Sequence, residues 1–274
     1  MVKVAAIKND LNTIQQLSEM TKVLEETAAR DIALMRERIL SSRPYFVEAW
    51  KIYNVLQQLA PPGPQVLNKQ LVVGITLDWG MTGSLLNRVV DKTEELYEEH
   101  GADLLLTGKM GASRFANRNE RTTHFFNVPK KATYNDIQDV NKTISKYAHI
   151  HFVYPRFESL SKQTVAVASL STKKEKDPNA DMIDASRFVI EPNVQDVVDY
   201  MNEVTVGLVV YSYFSEALLA YSAAQMVSMR SAYDNAKEEH RRLNIRYNKA
   251  RREVIDAKLR ELYGNNTSGL KGGV

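Results

Sequence analysis

The chain lacks cysteine altogether, and it holds only 8 Pro and 12 Gly among 274 residues. Without cysteine it can form neither a disulfide nor a thiolate-bound metal site, and its redox compartment is left open. It contains no run of about 18 apolar residues, so we predict no segment that crosses a membrane. The amino-terminal residues lack the apolar core of a secretory signal. A net charge of +3 is too small to indicate a nucleic-acid partner.

A long helix is predicted at the amino terminus. Residues 4–59 repeat an apolar or small residue every three or four positions, which is the spacing of one helix face, and the stretch "APPGP" (60–64) ends the pattern. Pro44 is the internal position at which a kink is expected. The residues that form the repeating face are Ile7, Leu11, Ile14, Leu17, Thr21, Leu24, Ala28, Ile32, Met35 and Ile39.

A second long helix is predicted near the carboxyl terminus, where "YDNAKEEHRRLNIRYNKARREVIDAKLREL" (233–262) has neither Gly nor Pro. Its apolar positions follow a heptad spacing, which is typical of a helix that packs against one partner along a narrow seam. The remaining surface is basic, with nine Lys or Arg and five Asp or Glu between 233 and 260, a difference of +4. The seam comprises Ala236, His240, Leu243, Tyr247, Ala250, Val254 and Ala257.

Between the two helices, residues 65–192 alternate short apolar runs with amphipathic stretches. This alternation predicts a Rossmann-like, partly parallel sheet covered by helices. A polar stretch at 171–186 is predicted to be a mobile loop. Strands are predicted at 71–77, 103–108, 149–155, 163–170 and 186–192, and helices at 84–101 and 132–148.

We therefore predict an α/β domain joined to a long antiparallel coiled coil. The amino- and carboxy-terminal helices are expected to pair because each seam can bury the other. The expected divisions are 1–60 for the first helix, 65–192 for the sheet domain, 193–263 for the second helix and 264–274 for a disordered, Gly-rich tail.

The carboxy-terminal helix carries the most specific pattern, "MVSMRSAYDNA" (226–236) followed by "YNKAR" (247–251). These stretches resemble the γ subunit of F-type ATP synthases, whose helix has Met-x-x-Met-x-x-Ala, then Asn-Ala, then Tyr-Asn-Lys-Ala-Arg. The resemblance extends in collinear order over nearly the whole chain. The other similar stretches are "TKVLEETAAR" (21–30), "GMTGSLLN" (80–87), "LLTGKMG" (105–111) and "FVYPRFESLSKQTV" (152–165).

The resemblance implies a central rotor shaft that performs no chemistry itself and needs no cofactor. In the family, the coiled coil lies inside a hexamer of α and β subunits, and the α/β domain stands on the ring of membrane-embedded c subunits together with ε. Rotation couples ion flow through that ring to the nucleotide sites on β. The implied location is peripheral to a membrane, at the cytoplasmic face of a bacterial inner membrane because no transit peptide is seen.

The resemblance also implies which residues contact partners. Arg251 falls at the Arg of Tyr-Asn-Lys-Ala-Arg and Arg252 stands where Gln is usual; in the family these two positions engage a β loop. Acidic Glu25 and Glu26 depart from the family, which is commonly basic there, and further departures are Gln225, Asp256 and Lys258. The full set expected to contact partners is Arg251, Arg252, Asn248, Lys249, Arg246, Arg242, Lys22, Glu25 and Glu26.

Other interpretations stay open on the residues alone. A basic helix face is more often simply solvated, and a coiled-coil adaptor with no ATPase would share the architecture. The turn "WGMTGS" (79–84) invites comparison with the phosphate loop of a nucleotide-binding enzyme, but it lacks the full Gly-x-x-x-x-Gly-Lys-Ser/Thr pattern. His149 and His151 share one strand face, but no third ligand stands at metal-binding spacing.

Overall fold

The computed structural model describes residues 2–59, 67–116, 121–129, 132–171 and 194–269. It divides into a coiled-coil unit of residues 1–27 and 226–274 and a sheet unit of residues 28–225. In chain order the elements are α1 (Val2–Leu59), β1 (Leu67–Gly74), α2 (Leu85–His100), β2 (Asp103–Thr107), α3 (Lys109–Phe115), β3 (Thr123–Phe126), a 3₁₀ turn (Asn135–Ile137), α4 (Gln138–Ile144), β4 (Tyr147–Phe157), β5 (Gln163–Ser171) and α5 (Val194–Gly269).

The sheet has five strands in the order β3-β2-β1-β4-β5. β1 pairs in parallel with both β2 and β4, β2 pairs in parallel with β3, and β5 lies antiparallel to β4 at one edge. All five residues of β2 are buried, because the strand is covered on both faces, as is usual in parallel sheets. The predicted partly parallel sheet is thus confirmed.

Helix α2 covers the sheet with one apolar face and ends where the sequence predicts. Its buried positions recur at helical spacing, and Gly101 ends it in the left-handed conformation with φ 59°. The residues buried on that face are Leu85, Leu86, Val89, Val90, Thr93, Leu96 and Tyr97.

The first half of α5 is a core element of the sheet unit. Phe214 and Tyr221 are fully buried in the same apolar core as the strands. Gly207, the weakest helix former in this stretch, allows a close approach: a Cβ there would lie 2.4 Å from Tyr134 Oη. This packing explains how a helix that includes a glycine stays continuous, because burial outweighs the roughly 1 kcal/mol that Gly costs in a helix.

Helices α1 and α5 pack together and run antiparallel. In the coiled-coil unit, Arg230 Nη1 lies 3.3 Å from Glu25 Oε1. In the sheet unit, Ser222 Oγ lies 3.9 Å from Met35 Sδ. Residue numbers therefore fall along α5 as they rise along α1, which confirms the predicted pairing of the terminal helices.

Two residues were wrongly predicted to belong to the seams, Leu17 on α1 and Ala257 on α5. Leu17 is 46% exposed, and the half-buried position beside it is Ser18, which keeps the alternating three- and four-residue spacing between Ile14 and Thr21. Ala257 is exposed, because the seam on α5 ends at Val254 and every residue from 255 to 263 is exposed. Apolar character alone does not show where a partner helix ends.

Several other expectations differ from the structure. The strand β3 and the short helix α3 were not predicted, and the helix expected at 132–148 is a 3₁₀ turn followed by α4, Gln138–Ile144. The tail expected to be disordered, 264–274, is helical as far as Gly269, and 270–274 lie outside the described residues. The predicted loop at 171–186, apart from Ser171, and the predicted strand at 186–192 lie outside the described residues.

One window of α5 passes a test for membrane spans by length and composition, with a mean hydropathy of 1.4. Half of that window is buried inside the protein itself. The core helix of a soluble protein passes the same test, so this window is weak support for a membrane span.

Candidate functional site

The basic face of α5 is exposed in the coiled-coil unit. Ala250 is only 7% exposed and belongs to the buried seam, and basic residues lie on both sides of that seam. Because consecutive helical residues lie about 100° apart, Arg251 and Arg252 flank that seam and point in different directions. The predicted partner-contacting residues of α5 that are exposed are Arg242, Arg246, Asn248, Lys249, Arg251 and Arg252.

The cations of this face differ in whether they form ion pairs within the chain. Arg242 is held within its own helix by ion pairs to Glu238 and, at 3.7 Å, to Glu239. Within the part of the chain that the structure describes, no acidic side chain forms an ion pair with the four remaining cations. These cations are Arg246, Lys249, Arg251 and Arg252, and they are the groups most available to an acidic partner.

The partner-contacting residues predicted on α1 also differ in exposure and in ion pairing. Lys22 and Glu26 are exposed. Glu25 is half-buried and accepts from Arg230, which also pairs with Asp234 at 3.3 Å. These two carboxylates raise the pKa of the Arg230 guanidinium, Glu25 contributing first. Glu25 thus joins α1 to α5, although the family is commonly basic at that position.

Sequence reasoning missed an apolar strip beyond the end of the seam. Ile255, Leu259 and Leu262 are 46%, 46% and 66% exposed, and Tyr263 is 72% exposed. Their spacing of four and three residues places the three aliphatic side chains on one side of the helix. The spacing of these residues is visible in the sequence. Their exposure is not, because it depends on where the contact with α1 ends. In the described part of the chain, no helix covers this side of α5 beyond Val254.

The place where a doubly wound sheet usually binds a ligand is taken up by α5. Such sites lie at the carboxyl ends of the strands where strand order reverses, here between β1 and β4. Tyr221 donates its hydroxyl to the Ile75 carbonyl at 3.0 Å, just after β1. The Tyr213 ring packs on Phe152 and Tyr154 of β4 at centroid distances of 5.0 and 4.9 Å. The protein's own helix therefore contacts the sheet where a nucleotide would be expected.

The "WGMTGS" turn is tied to α5 as well. Trp79 Nε1 donates to Gln225 Oε1 at 2.8 Å, and Gln225 Nε2 donates to the Gly80 carbonyl at 3.2 Å. Met81 and Gly83 have φ of 62° and 60°, so the turn takes a left-handed conformation at both positions. Gln225, one of the departures from the family, thus holds the loop against the helix.

A histidine cluster occupies one side of β4. The rings of His100 and His151 stack at 4.5 Å, and His151 Nδ1 lies 3.0 Å from Ser169 Oγ. No set of three His, Asp or Glu that could hold a metal ion occurs within the described residues. Burial, and then His100 and His149, lower the pKa of His151, while Glu99 acts in the opposite direction.

This cluster predicts a loss of stability in mild acid. In the range below about pH 6.5, the ordinary His pKa, the folded chain binds fewer protons at His151 than the unfolded chain, so the free energy of unfolding falls as pH falls. His151→Gln should flatten this part of the curve in urea denaturation measured at a series of pH values. The control His124→Gln removes an imidazole from β3, outside the cluster. Equal slopes for the two variants would contradict the assignment to His151.

Comparison with known proteins identifies the family to which the chain belongs. The family model described as ATP synthase matches residues 3–267. The ATP synthase gamma chain of Laribacter hongkongensis is 25% identical, with 93% of this chain and 96% of the relative covered. That of Dehalococcoides mccartyi is 26% identical, with 96% and 98% covered.

Solved structures agree in fold. A chain of the Euglena gracilis mitochondrial ATP synthase, in a structure of OSCP, F1 and the c-ring, has a TM-score of 0.67 at 16% identity and covers 99% of this chain and 97% of that one. A chain of the central stalk and c-ring of the Tetrahymena thermophila enzyme has a TM-score of 0.60 at 18% identity, with 78% and 99% covered. With a family match along almost its whole length and this fold, the chain belongs to the ATP synthase gamma chain family.

Proposed function

We propose that this chain is the central rotor shaft of a rotary ATP synthase. The observation that carries the proposal is the long antiparallel pair of α1 and α5, which presents exposed cations outside a narrow seam, four of them without an ion pair to any described acidic side chain. In the coiled-coil unit only the seam is buried, so the residues outside the seam are free to contact surrounding subunits. The shaft is not itself catalytic; the nucleotide sites belong to the β subunits that it contacts.

The proposed mechanism is conformational coupling. A shaft with different side chains on each side offers a different surface to each β subunit, so it biases their conformations through differential contacts alone. Turning the shaft moves each bias to the next subunit, and the same coupling runs in reverse during hydrolysis. Ion flow through the c-subunit ring supplies the rotation.

We propose specific contact residues for this coupling. At some rotor angles, four cations of α5 would contact acidic side chains of β, and the neighbouring Asn248 would contact β as well. The four cations are Arg246, Lys249, Arg251 and Arg252. Single exposed ion pairs are worth only about 0–1 kcal/mol, which suits a bearing that must release each contact in turn. Arg242, Lys22, Glu25 and Glu26 form the remainder of the proposed contact set, with Glu25 and Arg242 also engaged inside the chain.

The proposed partners are the α and β subunits of the hexamer, ε and the c-subunit ring. The bacterial relatives support a location at the cytoplasmic face of a bacterial inner membrane, attached through the complex. Co-expression with α and β tests assembly: the chain should copurify with both in a fixed ratio. Recovery of the chain alone would favour an adaptor without ATPase.

A further inference from the structure

A cleft of about 590 Å³ opens in the sheet unit at the amino-terminal ends of β1, β2 and β3. This is the sheet end opposite to the one that contacts Tyr221, and the shaft role gives it no task. Its volume is within the range of small-molecule sites. Besides Gly101, the cleft is lined by Lys69, Gln70, His100, Asp103, Arg121 and Thr122.

Arg121 is fixed in place within this cleft. Its Nη1 donates to the Tyr97 carbonyl at 2.8 Å, and its guanidinium carbon lies 4.9 Å from the centre of the Tyr97 ring. Tyr97 is itself buried, so the platform under the guanidinium is rigid. Gly101 leaves room beside the guanidinium, since a Cβ there would lie 3.8 Å from Nη2. A guanidinium has five N–H donors, and the bond to Tyr97 uses one of them.

The acid in the cleft is already engaged. Asp103 accepts the Tyr147 hydroxyl at 3.0 Å, and Lys69 Nζ lies 3.8 Å from the same carboxylate oxygen. Its side chain is 10% exposed, against 62% for Lys69. Two cations and one anion leave the lining with a net charge of +1 when His100 is neutral. The exposed charge is therefore positive.

We propose that this cleft binds a small oxyanion of the phosphate class, with the Arg121 fork as the main donor and Lys69 as the second. A planar guanidinium matches two oxygens of a phosphate or carboxylate at once, and a fixed one loses little freedom on binding. The polar lining disfavours an apolar ligand. The site does not depend on the rotor role and would exist in the isolated chain.

The site is tested by titrating the full-length chain with inorganic phosphate at low salt. Calorimetry and ³¹P NMR measure the binding. Saturable binding with one site is expected. Arg121→Lys keeps the charge but loses the fork, and should weaken binding by roughly tenfold or more. Lys69→Gln should weaken it severalfold, and because Lys69 is exposed this variant should fold even if an Arg121 variant does not.

The matched control is Lys162→Gln, which removes an exposed lysine from the sheet unit away from the cleft. This control should bind phosphate as the parent chain does. Absence of saturable binding, or equal weakening by Lys69→Gln and Lys162→Gln, would mean that phosphate meets only diffuse surface charge and would overturn the proposal.

Discussion

Replacing Gly108 by alanine should cost about 2–5 kcal/mol of folding free energy, because the change combines backbone strain with a clash. Gly108 has φ of +100°, and a Cβ would lie 2.2 Å from the Thr76 carbonyl oxygen and 3.1 Å from the Asp78 backbone nitrogen. Both neighbours are backbone atoms and cannot rotate away. The Gly108 amide also donates to the Phe126 carbonyl at 2.9 Å, so relief by local movement would disturb β3.

Gly80→Ala is the matched control. Apart from its chain neighbours, no atom of the described residues lies within 4 Å of a Cβ at Gly80, and the Gly80 φ lies outside the left-handed range. Urea denaturation of both variants should show a large loss for Gly108→Ala and little change for Gly80→Ala. A loss below about 1 kcal/mol at Gly108 would contradict the close approach of the loops that follow β1 and β2.

Truncating both Arg251 and Arg252 to alanine should leave the subunit folded but change the turnover of the assembled enzyme. Both side chains are exposed and flank the seam, so stability should shift by no more than about 0.5 kcal/mol. Contacts that form at only some rotor angles alter the relative energies of those states. Two exposed ion pairs worth up to about 1 kcal/mol each allow a change of about twofold to thirtyfold in rate.

The measurement is the ATPase rate and ion pumping of reconstituted complex, beside the melting temperature of the free subunit. Lys142→Ala combined with Lys146→Ala provides a control that removes two exposed cations from the sheet unit. Unchanged turnover and pumping in the Arg251 and Arg252 double variant, or a large drop in its melting temperature, would support a merely solvated basic face.

The long-range features were predictable because they repeat. Apolar residues every three or four positions at the amino terminus and a heptad spacing near the carboxyl terminus predicted two helices and their pairing. Burial of Leu243 and Ala250 on α5 and of Ala28 and Ile32 on α1 follows this spacing. The parallel strands were predictable because short apolar runs between amphipathic stretches are typical of a covered sheet. The exposed cations of α5 follow from the same periodicity, since positions outside the seam must face outward.

The features that failed prediction depend on contacts between distant residues. β3 has only four residues, too few for a periodic signal, and it forms because β2 offers it a parallel partner. The hydrogen bond from Trp79 to Gln225 joins residues 146 positions apart. The ion pair of Glu25 with Arg230 likewise depends on the register of two helices. Ala257 is exposed although it is small and in register, because a seam also needs a partner opposite it.

The central claim is that this chain turns inside an α and β hexamer, and observation of single complexes tests it most directly. The chain would be assembled with α and β, the hexamer fixed to a surface, and a probe attached through a cysteine introduced at the exposed Ser113 of the Cys-free chain. With ATP, the account predicts unidirectional, stepwise rotation of the probe that stops when ATP is removed. ATP hydrolysis by an assembled complex whose probe stays fixed in angle would contradict the account.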